Sequence, residues 1–159
     1  MALRNVVKEG DPILRKKCRV VDAVDEKIIT LLDDMKETMI SDSGVGIAAP
    51  QVGMLKRICV CMPDPEKPED ILEFINPVIL SCEGEQEGYE GCLSVPGLVG
   101  CVKRPQHVRV EAMDRTGSKR IYDLEGFAAV VACHEIDHLD GILYIDKASD
   151  IHDPQEDEQ

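Results

Sequence analysis

Five residues late in the chain, His134-Glu135-Ile136-Asp137-His138, limit what it can fold into more than any other stretch. They follow an apolar run over residues 124–133, suited to a buried helix, and Gly141 is well placed to stop that helix. Residues four apart on a helix share a face, so His134 and His138 can aim two imidazoles at one point. Glu135 is adjacent and can reach a water bound there. Imidazoles that are neutral near pH 7, with a carboxylate to take a proton from bound water, are the parts of a hydrolytic metal site. Two of the four histidines fall at this spacing on an otherwise apolar helix, which favours a metal site over ordinary helix positions.

A catalytic site of this kind usually takes a third protein ligand. In many zinc proteases it lies downstream. Gly141 matches one such extended motif, but Tyr144 stands where its third His would be. Asp146, Asp150 and His152 also follow, with no rigid element expected around them. The third ligand is therefore expected upstream, and Cys92 is the best candidate. Gly91 precedes it, Leu93 and Ser94 follow in a constrained turn before Pro96, and a thiolate binds zinc or ferrous iron well. On these residues alone, a zincin-type endopeptidase and a structural or redox-sensing metal module remain alternatives to other metal-dependent hydrolases.

Composition narrows the surroundings. A chain of 159 residues suits one domain with a real core. Aromatic residues make up only 3%, so that core must be mostly aliphatic. A net charge of -13 argues against binding nucleic acid through its phosphates. Residues 150–159 hold five of the acids and no Lys or Arg, and read as a solvated, frayed tail. The seven cysteines are odd in number, the N-terminus has no signal-peptide pattern, and no apolar run reaches membrane-spanning length. The expectation is a cytoplasmic protein with reduced thiols and no membrane partner. Cys59-Val60-Cys61 is too closely spaced for a zinc knuckle and alternates as a strand would.

Along the chain, residues 1–23 read as extended, with a turn at Gly10-Asp11-Pro12. Asp25 can cap an amphipathic helix running to about residue 40, with Ile28, Leu31, Leu32, Met35 and Met39 at helical spacing. The small-residue stretch 44–53 lacks a phosphate-loop pattern and by itself reads equally as a turn or a functional loop. Gln51 is the one side chain in it able to donate to a developing oxyanion. Strands are expected at 57–62, at 71–80 with an interruption at Asn76-Pro77, at 98–103 and at 107–113. The last forms a hairpin through Asp114-Arg115-Thr116-Gly117 with 119–124. Residues 82–91, rich in Glu and Gly, are expected to form a loop. The resulting class is α+β, mostly antiparallel sheet packed around a central helix that carries the two histidines, with an N-terminal amphipathic helix. Residues 1–148 read as a single catalytic domain and 149–159 as a short acidic tail.

Three segments in order resemble one family. Gly44-Val45-Gly46-Ile47-Ala48-Ala49-Pro50-Gln51, Glu90-Gly91-Cys92-Leu93-Ser94 and His134-Glu135-Ile136-Asp137-His138 are similar to the three motifs of the peptide deformylases, and the similarity covers roughly residues 4–148. The resemblance implies an enzyme that removes the formyl group from the N-terminal formylmethionine of new proteins and releases formate. It implies one divalent metal on Cys92, His134 and His138, with Fe(II) usual and Zn(II), Ni(II) or Co(II) able to replace it. Glu135 would be the general base toward a metal-bound water, with Gln51 and the Leu93 N–H as oxyanion donors. Gly46 and Gly91 would pair with an extended peptide, and Val45, Val130 and His134 would line the methionine pocket. Arg104 and Asp137 would pair behind the metal and brace its helix. The partners implied are formylmethionyl peptides and nascent chains, with a monomer favoured. Two departures stand out. Val99 occupies a position where some members carry Arg, and the acidic tail replaces the basic helix with which others can dock on the ribosome, so no ribosome contact is expected through it.

Overall fold

The computed structural model describes residues 2–155. Its architecture is α+β, two helices and eight strands in two antiparallel sheets. Helix α1 spans Glu26–Ser41, and the Asp25 carboxylate caps it by accepting from the Ile28 N–H at 3.0 Å. Strands β1 (Gly46–Ala48), β2 (Ile58–Cys61), β3 (Leu72–Glu83), β6 (His107–Met113) and β7 (Lys119–Glu125) form one sheet in the order β1-β2-β3-β6-β7. Strands β4 (Gln86–Cys92), β5 (Val95–Arg104) and β8 (Ser149–His152) form the second, in the order β4-β5-β8. Helix α2, Phe127–Leu139, packs on β1, β2 and β7 of the larger sheet and touches β5 of the smaller.

Both faces of the larger sheet are covered at its β1–β3 end. Ile58 and Val60 join Leu32, Met35 and Met39 of α1 in one apolar cluster. Cys59 and Cys61, pointing the other way along the same strand, join Ala129, Ala132 and Ile136 of α2 in another. That is why β2 is buried at every position while β6 alternates. The Cys59–Cys61 pair is thus core packing, as the alternation predicts. Helix α2 ends at Leu139 and the turn after it closes at Gly141, with φ +75°, where the Arg15 backbone passes so near that a Cβ would meet its carbonyl oxygen at 2.6 Å.

Four sequence expectations need correction. Residues 86–92 are not loop. After a tight turn they form β4, paired with β5 from Gln86↔Arg104 to Cys92↔Val95; pairing overrides the poor strand propensity of Glu and Gly. Asn76-Pro77 does not break β3, because the register shift between Ile75 and Val78 absorbs it as a bulge, with Asn76 at φ +54°. The Asn76 side chain there ties down the N-terminal segment, accepting from the Val21 N–H and donating to its carbonyl, both at 2.8 Å. Leu124 ends the hairpin arm as the 119–124 range expects, and Glu125 extends it, so the apolar run enters the helix only at Phe127. Finally, residues 149–152 of the supposed frayed tail form β8, where His152 pairs with Val99 and Ser149 with Cys101; the expectation for 156–159 lies outside the described residues. The stretch 44–53 holds β1 and a 3-10 turn, Ala49–Val52. The N-terminal segment straps this turn to the one after β4: the Val7 N–H donates to the Gln51 carbonyl and the Glu9 N–H to that of Ser94, both at 2.7 Å.

Candidate active site

The inward face of α2 brings His134 and His138 together, with ring centroids 5.1 Å apart. Cys92 arrives from β4, whose register slips between Glu90 and Cys92 just before the chain turns at Leu93 and Ser94 into β5. Its Sγ lies 3.4 Å from His138 Nε2. One ligand atom each from Cys92, His134 and His138 all lie within 4.8 Å of one another. Ligands around a tetrahedral cation sit roughly 3.3–3.6 Å apart, given metal–ligand bonds of about 2.0–2.3 Å. The donor set therefore suits a divalent cation, and the 3.4 Å between Cys92 and His138 matches two ligands of one ion. Nδ1 of His134 is occupied by the Glu90 carboxylate at 2.9 Å, which leaves Nε2 for a ligand bond.

Gln51, on the turn after β1, has its carboxamide held at both ends. Its oxygen accepts from the Ala48 N–H at 2.9 Å, while Nε2 lies 3.1 Å from Ser94 Oγ and 3.5 Å from Cys92 Sγ. Glu135 is buried, with Oε2 at 3.9 Å from His134 Nε2 and Oε1 without a hydrogen-bond partner. A cleft of about 520 Å3 opens over these groups. Val45, Gly46, Gly91, Leu93 and Val130 line it, together with Gln51, Cys92, His134 and Glu135. His138, 1% exposed, is not among the lining residues and sits beside Cys92.

Behind the cleft, Arg104 of β5 donates from Nε and one terminal nitrogen to the two Glu90 oxygens, each at 2.8 Å, and from the other to Asp137 at 2.7 Å. Lys147 adds a contact to Asp137 at 3.0 Å. The sequence pairs Arg104 with Asp137 but leaves out Glu90, the link between Arg104 and His134. It also leaves out Tyr144, which stacks on His134 at 5.9 Å, and Phe127, half-exposed in the cleft wall. Glu90 becomes legible only once 86–92 is recognised as a strand against β5.

Burial shapes the charges. It lifts the Glu135 carboxyl to about 7 and, with the neighbouring His134, holds His138 well below its usual range. Burial also opposes ionisation of Glu90, but the bonds from Arg104 and His134 outweigh it and bring the pKa to about 2. At His134, burial disfavours a positive charge, yet the charge of Glu135 and the contacts with Cys92 and Glu90 overcome it and raise the pKa to about 10. The surroundings of this ring thus favour positive charge.

The polypeptide deformylase family model matches residues 3–153. The chain belongs to the polypeptide deformylase family. A relative in that family, the peptide deformylase of Acetivibrio thermocellus, is 54% identical over 147 residues, 92% of this chain and 84% of that one. Among solved deformylase structures, that from Thermotoga maritima superposes with a TM-score of 0.88 at 36% identity, covering 92% of this chain and 98% of the other. A Met-Ala-Ser-bound deformylase from Acinetobacter baumannii superposes at 0.85 with 35% identity, over 91% and 98% of the two chains. As a deformylase-family enzyme, the chain carries its family resemblance across both sheets and α2, the elements that build the cleft.

Proposed function

We propose that this chain hydrolyses the formyl amide of N-terminal formylmethionine on newly made proteins, with one divalent cation held by Cys92, His134 and His138. The observation that carries this reading is the convergence of a thiol and two imidazoles, within 4.8 Å, beside a cleft that Cys92, His134, Glu135 and Gln51 line. When bound, such a cation supplies Lewis acidity, polarising the formyl carbonyl and making a water acidic enough to lose a proton near neutral pH.

The chain's own residues do the rest. Glu135, buried beside the ligand set, takes the proton of the attacking water and returns it to the leaving amine. Gln51 Nε2 and the Leu93 N–H donate to the oxygen on which charge builds. The backbones of Gly46 on β1 and Gly91 on β4 flank the cleft and hold the peptide extended between them. Val45 and Val130, with His134, receive the methionine side chain. Arg104 and Asp137, through Glu90, hold the His134 ring in place. A thiolate with two imidazoles suits Fe(II), which we take as the working metal, and also Zn(II), Ni(II) or Co(II). Residues 1–148, with β8 completing the smaller sheet, act as one catalytic domain, a monomer working in the cytoplasm on formylated nascent chains without nucleic acid or membrane as partner. Among the described residues no helix is long and apolar enough to cross a membrane.

The test is release of formate from formyl-Met-Ala-Ser by protein prepared without oxygen. Glu135→Ala should retain the metal and lose turnover. Cleavage of an internal peptide bond with no formate would overturn the reading in favour of an endopeptidase.

A further inference from the structure

Glu135 is held in an unusual way for a buried acid. Among the described residues, Oε1 has no hydrogen-bond partner and the ion-pair contact of Oε2 is His134 Nε2 at 3.9 Å, too long for a hydrogen bond. Among the protein's own groups, packing is therefore what seats the carboxylate. The surface beneath it is Gly46. A Cβ built on Gly46 would lie 2.4 Å from Glu135 Oε2 and 2.8 Å from both Cδ and Cγ, where ordinary contacts run 3.4–4 Å. The slot that seats the carboxylate is thus the missing side chain of a strand residue. Gly46 is itself buried, and its partner across the β1–β2 ladder, Cys61, is 1% exposed, so the acid has no room to move sideways into the sheet.

We infer that Gly46 is a positioning residue for the reaction: the absence of a side chain there sets the depth at which the Glu135 carboxylate stands in the cleft. A methyl group at Gly46 would push the carboxylate outward by about 1 Å, a displacement that can cost about 10²-fold in rate. This role is separate from any pairing of the Gly46 backbone with a peptide, because it acts through the Cα hydrogen that faces α2. The inference rests on the deformylase reading, in which Glu135 is the base. That reading stands or falls on formate release by the unmodified chain.

Two double-variant cycles test the inference itself. In the kinetic cycle, Gly46→Ala lowers kcat for formyl-Met-Ala-Ser about 10²-fold, with KM within about threefold and metal content unchanged. Adding Glu135→Asp, one methylene shorter, then costs far less in the Gly46→Ala background than in the parent, because the clash is gone. A rise in KM alone, or effects of the two changes that simply multiply, would overturn it. The stability cycle needs no turnover. Gly46→Ala lowers Tm by several degrees in the parent and leaves it nearly unchanged in Glu135→Ala. If Gly46→Ala fails to fold by itself but folds in the Glu135→Ala background, the clash is with Glu135, as inferred. If it is equally damaging in both, Gly46 serves the strand alone and the inference is wrong.

Discussion

Arg104 grips both carboxylate oxygens of Glu90 at 2.8 Å, and this bidentate pair is almost wholly buried, with side-chain exposures of 3% and 7%. It fastens β4 to β5, and Glu90 Oε1, shared between Arg104 and His134 Nδ1, orients the His134 ring. A buried pair is weak evidence for net stability, but breaking one leaves an uncompensated charge. Arg104→Ala should therefore cost about 3–5 kcal/mol in urea unfolding. Glu90→Gln keeps the shape and weakens the hold on His134, so it should lower metal affinity about 10- to 100-fold in chelator competition. An Arg104→Ala protein with unaltered stability and metal retention would rule out the bracing role.

The Gln51 carboxamide is fixed before any substrate arrives, with its oxygen on the Ala48 N–H and its nitrogen toward Ser94 and Cys92. Donors held in place in this way act mainly on the transition state. Gln51→Ala should reduce kcat about 10²–10³-fold while changing KM little. The check is steady-state formate release at saturating peptide. A KM effect with kcat intact would show that Gln51 binds the ground state instead.

Much of this site can be read in the chain because its signals are local. An apolar run carrying His134 and His138 at helical spacing makes α2 with both imidazoles on one face. The alternation Val108, Val110, Ala112 and the turn at Asp114 make the β6–β7 hairpin. What stays hidden depends on pairing. Strand β4 has no apolar alternation, since its Glu and Gly residues become a strand only against β5, and the loop expected there conceals Glu90 as the link between Arg104 and His134. Strand β8 is hidden for the same reason. It is four residues long, and only its register with Val99 and Cys101 defines it.

That register gives β8 a measurable role. It covers the outer edge of β5, and Asp150 accepts a hydrogen bond from the Tyr89 hydroxyl on β4, so one short segment ties the ends of the small sheet together. A chain ending at Ala148 should lose about 1–2 kcal/mol of stability, the scale of a few cross-strand pairs, and about 2–4 °C in Tm for each kcal/mol. A chain ending at Asp153 keeps β8 and should match the full length. Thermal unfolding of the two truncations separates the strand from the acidic residues that follow, and equal Tm values would deny β8 a structural role.

Asp34 anchors the N-terminal segment to α1. Its carboxylate accepts from the Ala2 N–H at 2.8 Å and from Arg4 Nε at 3.0 Å, with a terminal Arg4 nitrogen at 2.8 Å. Burial opposes its ionisation, but the Ala2 N–H and the Arg4 guanidinium outweigh that and hold its pKa below the usual carboxylate value of 3.8. A carboxyl whose pKa falls on folding contributes stability that is complete above its unfolded pKa and is lost as pH drops through the folded one. Asp34→Asn should therefore be less stable than the parent by about 1.5–3 kcal/mol at pH 6, the scale of hydrogen bonds to a charged group. The gap should shrink below about pH 4. Glu90, also depressed, titrates in both proteins, so the difference between them isolates Asp34. Urea midpoints at pH 6 and pH 3 decide the matter: a gap of the same size at both would mean that Asp34 holds the strap without its charge.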